Sequence, residues 1–331
     1  MSTVFQINQN GEYFVCKNQD VIHDGVYLFT NQRGVRKTAL MMPPTQPASW
    51  VSVYGSLTIS QIGKENPNGG MNEKGLVVEQ TTLWETEYPA SDEFPAVTEL
   101  QWIQYLLDTC GTVQEAVEKA TSIRIDQSTS KLHYLIGDRS GNRAIIEFLN
   151  GKMTIYKGKW ITPVMTNSSY EEALKEIESG KTNWSDCGEY QENSMQRLLT
   201  VSKRMQENSI HANVIDFAFE VLNSAKREDT VFSLVYDINR MEVHAYTNRN
   251  PERKTIKMVD FDFANGKPSQ SVDLQRLRAK NVTEQFVTYS TEFNHNAVKS
   301  FFRNPTLTEI FKWEISDEMI QFLARYPESF S

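Results

Sequence analysis

The alternation of apolar and polar residues at the start of the chain describes a hairpin. Thr3-Val4-Phe5-Gln6-Ile7 has strand composition, Asn10-Gly11 is a strong two-residue turn signal, and Glu12-Tyr13-Phe14-Val15-Cys16 returns. A two-residue loop puts Gln9 opposite Glu12, and therefore Val4 opposite Lys17 and Ser2 opposite Gln19. Lys17 and Asp20 then lie beside the first residues, because cross-strand diagonals are roughly 7–8 Å apart. A chain start held in a sheet beside a lysine and an aspartate is unusual, since free ends normally fray.

Further strands are expected at residues 25–29, 50–59 and 75–82. A helix is expected at 99–108, with Leu100, Ile103, Leu106 and Leu107 on one face, and a second from Thr112 to Ala120, opened by the capping-box pair Thr112 and Glu115. Residues 132–137, 144–148 and 153–156 read as a meander turning at Ser140-Gly141 and Asn150-Gly151. Helical patterns return at 170–178, 194–207 and 214–222, followed by strands at 231–237 and 241–247. Strands, helices, strands, helices and strands with many hairpins make an α+β layered sandwich rather than a wound βαβ sheet. From Ser269 the chain becomes polar, with helical stretches at 273–279, 283–289 and 317–325. The expected division is a core domain at 1–268 and a C-terminal helical extension packed on it at 269–331.

With 39% hydrophobic and 11% aromatic residues, the 331-residue chain can bury a sizeable core. Its 34 basic and 42 acidic side chains give a net charge of −8 without a Lys/Arg cluster. Nucleic acid is therefore not an expected partner, because phosphates need a basic face. No apolar run is long enough to span a membrane, and residues 1–11 lack the basic start and apolar stretch of a signal peptide. Cys16, Cys110 and Cys187 are odd in number and form no C-x-x-C, which reads as free thiols in the cytoplasm. His23, His133, His211, His244 and His295 are scattered, and no zinc, Walker A, dinucleotide or G-x-S-x-G motif occurs. No metal and no cofactor are expected.

One segment is more specific. Gly69-Gly70-Met71-Asn72-Glu73-Lys74-Gly75-Leu76-Val77-Val78 resembles the G-M-N-E-K-G-L-x-V signature of the choloylglycine hydrolase and penicillin V acylase family. Other matches follow in order. Met1-Ser2-Thr3-Val4-Phe5 resembles the family's Met-Cys-Thr opening, and Cys16-Lys17-Asn18-Gln19-Asp20 its G-(R/K)-N-x-D element. Val164-Met165-Thr166-Asn167-Ser168 is similar to its V-M-T-N loop, and Glu192-Asn193-Ser194-Met195-Gln196-Arg197 to the segment of its late arginine. Ser233-Leu234-Val235-Tyr236-Asp237 resembles a strand near the family's end. The resemblance covers about residues 1–250 and leaves the extension unexplained. It implies a four-layer α-β-β-α sandwich of two antiparallel sheets, the N-terminal nucleophile (Ntn) hydrolase fold, with a C-terminal helical tail.

It also implies a chemistry, hydrolysis of a linear amide in a small N-acyl substrate through an acyl-enzyme. The residue-2 side chain attacks the carbonyl and its own α-amine takes the proton, an amine of ordinary pKa about 7.7–8.0. Lys17 would orient the nucleophile and lower the amine's pKa, and Asp20 would accept a hydrogen bond from the amine. Asn167, with a backbone N–H near Thr81, would donate to the oxyanion, a contribution of about 3–4 kcal/mol per donor. Arg197 would support the cluster electrostatically. Family members often form dimers or tetramers.

Three residues depart from the pattern. Ser2 stands where the family has cysteine, Thr82 where bile-salt hydrolases carry an oxyanion asparagine, and Cys16 where the motif has glycine. A serine hydroxyl is a much weaker nucleophile than a thiol near neutral pH. Because the chain begins at Met1, the residue-2 nitrogen is in a peptide bond, and Ser2 behind Met1 reads as an inactivated Cys→Ser variant. A natural serine enzyme and a natural loss of activity are the other readings. An acyltransferase using the same acyl-enzyme, or a silent ligand-binding member, are the alternative functions.

Plain structural roles are also open to these residues. Lys17 and Asp20 suit a surface ion pair, Asn167 a helix cap, and Arg197 a solvated helix face. Cys16 suits a buried small hydrophobe. Trp84, Trp102, Trp160, Tyr88 and Met71 suit either an acyl pocket or the core.

Overall fold

Alternation in the first hairpin sets the layering of the whole molecule. In the computed structural model, which describes residues 1–90, 94–158, 162–206 and 213–331, β1 (Ser2–Gln9) pairs with β2 (Glu12–Asp20). Ser2 lies opposite Gln19, Val4 opposite Lys17 and Gln9 opposite Glu12, the register expected of an Asn10-Gly11 turn. Those two turn residues take φ of 55° and 80°, the left-handed values such a loop requires.

The chain continues through β3 (Tyr27–Asn31), β4 (Arg36–Thr38), β5 (Ser49–Val51), β6 (Ser56–Ser60), β7 (Gly69–Asn72), β8 (Val77–Thr82) and β9 (Ala96–Val97). Helices α1 (Glu99–Thr109) and α2 (Val113–Ala120) lead into β10 (Arg124–Ile125) and the meander β11 (Leu132–Gly137), β12 (Arg143–Leu149) and β13 (Lys152–Lys157). Next come β14 (Val164–Met165), α3 (Tyr170–Glu178), α4 (Glu189–Gln206), α5 (Val214–Ser224), β15 (Thr230–Asp237), β16 (Glu242–Thr247) and β17 (Lys254–Lys257). The chain ends with β18 (Gln270–Asp273), β19 (Val287–Thr288), α6 (Thr291–Phe302), α7 (Pro305–Phe311) and α8 (Asp317–Arg325).

Two large antiparallel sheets result. The first runs β14-β1-β2-β15-β16-β17, and the second β13-β12-β11-β8-β7-β6-β3-β18-β19. On one face of the first, Phe5, Ile7, Phe14 and Cys16 pack with Met195, Leu198, Phe217 and Val221 of α4 and α5. The alternate residues Val4 and Val15 join Leu57, Met71, Val77 and Leu135 of the second sheet. The far face of that sheet, with Val78, Tyr134, Ile136 and Ile146, is covered by Trp102, Ile103 and Leu106 of α1 and Val117 of α2. A strand's two-residue period thus sorts each apolar set into its own interface, and the order is helix, sheet, sheet, helix. The expected Ntn-hydrolase architecture holds.

Some boundaries differ. Residues 50–59 are not one strand: β5 and β6 belong to different sheets, broken near Gly55, where a Cβ would stand 2.2 Å from Phe263. The helices expected at 273–279 and 283–289 are absent apart from a 3₁₀ turn at Thr283–Gln285. Here pairing with the sheet overrides local composition: β18 hydrogen-bonds to β3, and β19 to β18. The first part of the extension thereby continues the second sheet across residue 269. Its last residue, Ser331, exchanges backbone hydrogen bonds with Arg36. The helix expected at 317–325 forms as α8.

Candidate active site

Ser2 sits at the start of β1 on the inter-sheet face and is 2% exposed. Its Oγ lies 2.5 Å from the Met1 carbonyl and 3.3 Å from Gln19 Oε1, and Gln19 passes its amide on to Gln61. The Ser2 N–H donates to Asn167 Oδ1 at 3.0 Å, and its carbonyl accepts from Arg197 Nη1 at 2.6 Å. Arg197 also donates to Thr3 Oγ1 and Asn167 Oδ1, each at 2.7 Å, and through Nε to Asn193 at 2.9 Å. Burial pushes its guanidinium down to about 10, with Asp20 the first group acting against that. With the Met1 Sδ at 3.5 Å as a further acceptor, the buried guanidinium is held on every nitrogen.

Asn167 follows β14, which is attached to the edge of the first sheet through Val4 and Met165. Its backbone N–H donates to Ser194 Oγ at 2.9 Å, and its Nδ2 donates to the Thr82 carbonyl at 2.8 Å. The Thr81 hydroxyl donates to the Thr166 carbonyl. Both threonines at the end of β8 therefore touch the turn that carries Asn167, so Ser2, Thr81, Thr82, Asn167 and Arg197 form one connected group.

Asp20 lies close by but not as the resemblance implies. Its Oδ1 accepts from Thr230 Oγ1 at 2.6 Å, and its buried Oδ2 has no hydrogen-bond partner among the described residues. The Met1 amine donates instead to the Asp20 main-chain oxygen at 2.9 Å. Burial lowers that amine to about 6, opposed first by Asp20.

Lys17 is turned across the inter-sheet space to β8. Its Nζ lies 3.3 Å from Glu79 Oε2 and donates to the Gln80 carbonyl, while Glu79 Oε1 accepts from Tyr236 Oη at 2.6 Å. Lys17 is therefore paired with Glu79 and makes no hydrogen bond to Ser2 among the described residues. This arrangement explains Gly69, the residue before the signature's first glycine. A Cβ at Gly69 would stand 2.2 Å from Glu79 Oε1. Gly69→Ala should lower stability by about 1–3 kcal/mol through overpacking, measured as a fall in the urea midpoint. An unchanged midpoint would mean that the carboxylate moves aside freely.

The remaining expectations divide. Cys16 is fully buried on the helix-facing side of β2, away from Ser2, and burial raises its thiol pKa. Trp102 and Met71 are core, whereas Trp84 is 52% exposed and touches the Tyr190 ring. Tyr88 is half-buried and donates to Ser130 O, and Trp160 lies outside the described residues. Arg197 lines a cleft of about 500 Å³ with Asn193, Ser224, Lys226, Arg227 and Asp229. The sequence reading missed Glu79, Ser194, His133 and Glu147, all buried beside the site. Of these, only Ser194 stood in a quoted motif. Among the described residues no cluster of His, Cys, Asp and Glu is arranged to hold a metal, and no helix is long and apolar enough to cross a membrane.

Residues 9–252 match the family model described as acyl-coenzyme A:6-aminopenicillanic acid acyl-transferase. The chain belongs to that family. Its resemblance to the choloylglycine hydrolases and penicillin V acylases is borne out by relatives of this acyl-transferase family member. A penicillin V acylase from Pectobacterium atrosepticum is 35% identical over 135 residues, 36% of this chain and 36% of that protein. The match thus spans about a third of the relative's length. A solved penicillin V acylase from Agrobacterium tumefaciens is 24% identical with a TM-score of 0.74, covering 88% of this chain and 98% of the other. A mutant conjugated bile acid hydrolase from Clostridium perfringens is 15% identical with a TM-score of 0.67, covering 82% and 97%. At these identities the two solved structures show a shared fold.

Proposed function

We propose that this chain is a hydrolase of linear N-acyl amides that works through an acyl-enzyme on residue 2, with the nitrogen of residue 2 released as a free amine. The observation that carries the reading is the pairing of both main-chain groups of Ser2. Its nitrogen is on Asn167 and its carbonyl on Arg197, which supports residue 2 as the nucleophile. The named activities of the relatives support the same class.

In the first step the residue-2 Oγ, or Sγ of a cysteine, bonds to the substrate carbonyl carbon while its proton passes to the α-amine. Asn167 has two Nδ2 hydrogens, one of them engaged by Thr82; the other donates to the oxyanion. The ammonium then returns its proton to the leaving nitrogen as the C–N bond breaks, and water releases the acyl group. Asp20, whose Oδ2 has no hydrogen-bond partner among the described residues, is assigned to hold the residue-2 amine. Arg197 fixes Asn167 and the Ser2 carbonyl. Lys17 is assigned to alignment of β2 against β8 through Glu79 rather than to direct contact with the nucleophile.

A silent ligand-binding member is the second reading, favoured by Ser2 itself and by its hydroxyl lying against the Met1 carbonyl. Intact mass spectrometry separates the two. Ser2→Cys protein is exposed to a panel of N-acyl amides, and loss of Met1 with an acyl adduct is the expected result. A folded Ser2→Cys protein that keeps Met1 and gains no adduct would sink the hydrolase reading.

A further inference from the structure

Three buried side chains on adjacent strands of the second sheet are used by none of the chemistry above. Thr81 on β8, His133 opposite it on β11 and Glu147 on β12 are fully buried. His133 Nδ1 lies 2.8 Å from Glu147 Oε1, and its Nε2 lies 2.9 Å from the Thr166 carbonyl and against Thr81 Oγ1. Each ring nitrogen lies within hydrogen-bond distance of an oxygen, so the imidazole is held at both ends.

Glu147 Oε1 also accepts the N–H of Tyr170, the first residue of α3, at 2.8 Å. The N-cap residue Ser169 makes no side-chain cap bond, so Glu147 stands in for it. The pair thus grips both ends of one short turn, the carbonyl of Thr166 just before Asn167 and the amide of Tyr170 just after it. Ser194 holds the middle of the turn from α4.

The order Thr81, His133, Glu147 is that of a nucleophile, a base and an orienting acid. Thr81 is inaccessible, however, and its hydroxyl donates to the Thr166 carbonyl, so this row is a clamp. A carboxylate is an expensive way to pack an interior. Glu147 Oε2 has no hydrogen-bond partner among the described residues, a penalty that a purely apolar position would avoid.

We propose that His133 and Glu147 are positioning residues that fix the Asn167 turn against β8 and so set Asn167 on residue 2. The consequence for catalysis rests on the hydrolase reading above, whereas the clamp itself does not.

Hydrogen–deuterium exchange on the full chain tests the clamp. In His133→Leu and in Glu147→Leu, the peptide spanning residues 164–170 should exchange about tenfold faster, while β1, β2 and α1 keep their rates. His133→Gln, which retains one donor, should fall between His133→Leu and the parent. Parental protection of that peptide in a folded His133→Leu or Glu147→Leu protein overturns the proposal, as does a loss spread evenly over both sheets. In the Ser2→Cys background with Met1 removed, His133→Gln should lower kcat roughly ten- to a hundredfold with KM within about twofold. A parental kcat beside a loosened turn overturns the link to Asn167. If the Ser2→Cys protein never acylates, the hydrolase reading falls and the exchange rates alone decide the clamp.

Discussion

In the Ser2→Cys protein with Met1 removed, Asn167→Asp should lose acylation as completely as Asn167→Ala, roughly a hundred- to a thousandfold. The two substitutions separate the holding of residue 2 from the oxyanion-donor role proposed for this side chain. Its Oδ1 accepts from the residue-2 nitrogen and from Arg197, and its Nδ2 donates to the Thr82 carbonyl with one hydrogen to spare. Aspartate keeps an acceptor for both partners, and the adjacent guanidinium offsets the charge it introduces. It removes every donor. If the oxyanion depends on Nδ2, aspartate is therefore no better than alanine. Time-resolved intact mass gives the acylation rate directly. An Asn167→Asp protein that acylates within about tenfold of its parent would mean that Asn167 only holds residue 2, because removing an oxyanion donor has a larger effect than that.

Most of the scaffold was legible because its signals are local. Asn10-Gly11 fixed the hairpin register, and that register placed Ser2, Val4 and Lys17 on the inter-sheet face. Thr112 accepts from the Glu115 N–H, as its capping pattern required, although Glu115 reaches back to Gly111 rather than to Thr112. The extension was harder. Gln270–Asp273 is a strand only because the edge of β3 is there to pair with, and a polar segment carries no sign of that partner. The sequence reading also missed α6 and α7, whose N-cap side chains Ser290 and Asn304 accept from the Phe293 and Leu307 N–H groups.

The site divided along the same line. Ser2, Asn167 and Arg197, which lie in quoted motifs far apart in sequence, converge. Of the buried residues beside them, Glu79, Ser194, His133 and Glu147, only Ser194 lies in one. Glu79 is bonded to Lys17 across 62 positions of sequence, Glu147 to the Tyr170 amide across 23, and His133 to the Thr166 carbonyl across 33. A single sequence offers no spacing rule for a partner that is supplied by the opposite sheet. The partner of Lys17 was missed for that reason: a cation beside the chain start looks unpaired until Glu79 is seen across the inter-sheet space.

Glu79→Gln should destabilise the protein by about 3–5 kcal/mol at pH 7, since it strips a buried ammonium of its ion-pair partner. Lys17 and Glu79 are 0% and 2% exposed and lie 3.3 Å apart. Burial already lowers the Lys17 pKa from its ordinary 10.5, with Glu79 the first group acting against that and Asp20 a lesser one. Burial likewise raises the Glu79 pKa, opposed first by Lys17. Without Glu79 the folded-state pKa of Lys17 falls further, while the unfolded value stays near 10.4. Between those two values the unfolded chain binds more protons than the folded one, so the stability of the variant rises with pH in that window. The gap between Glu79→Gln and its parent should therefore narrow from pH 7 toward pH 10 in parallel urea titrations. Adding Lys17→Met to Glu79→Gln removes the stranded charge and should restore much of the loss at pH 7, because an apolar replacement of a buried pair is often near neutral. A gap that stays constant with pH and survives the double substitution would assign the loss to packing around Tyr236, and the two sheets would then be held by shape rather than by this ion pair.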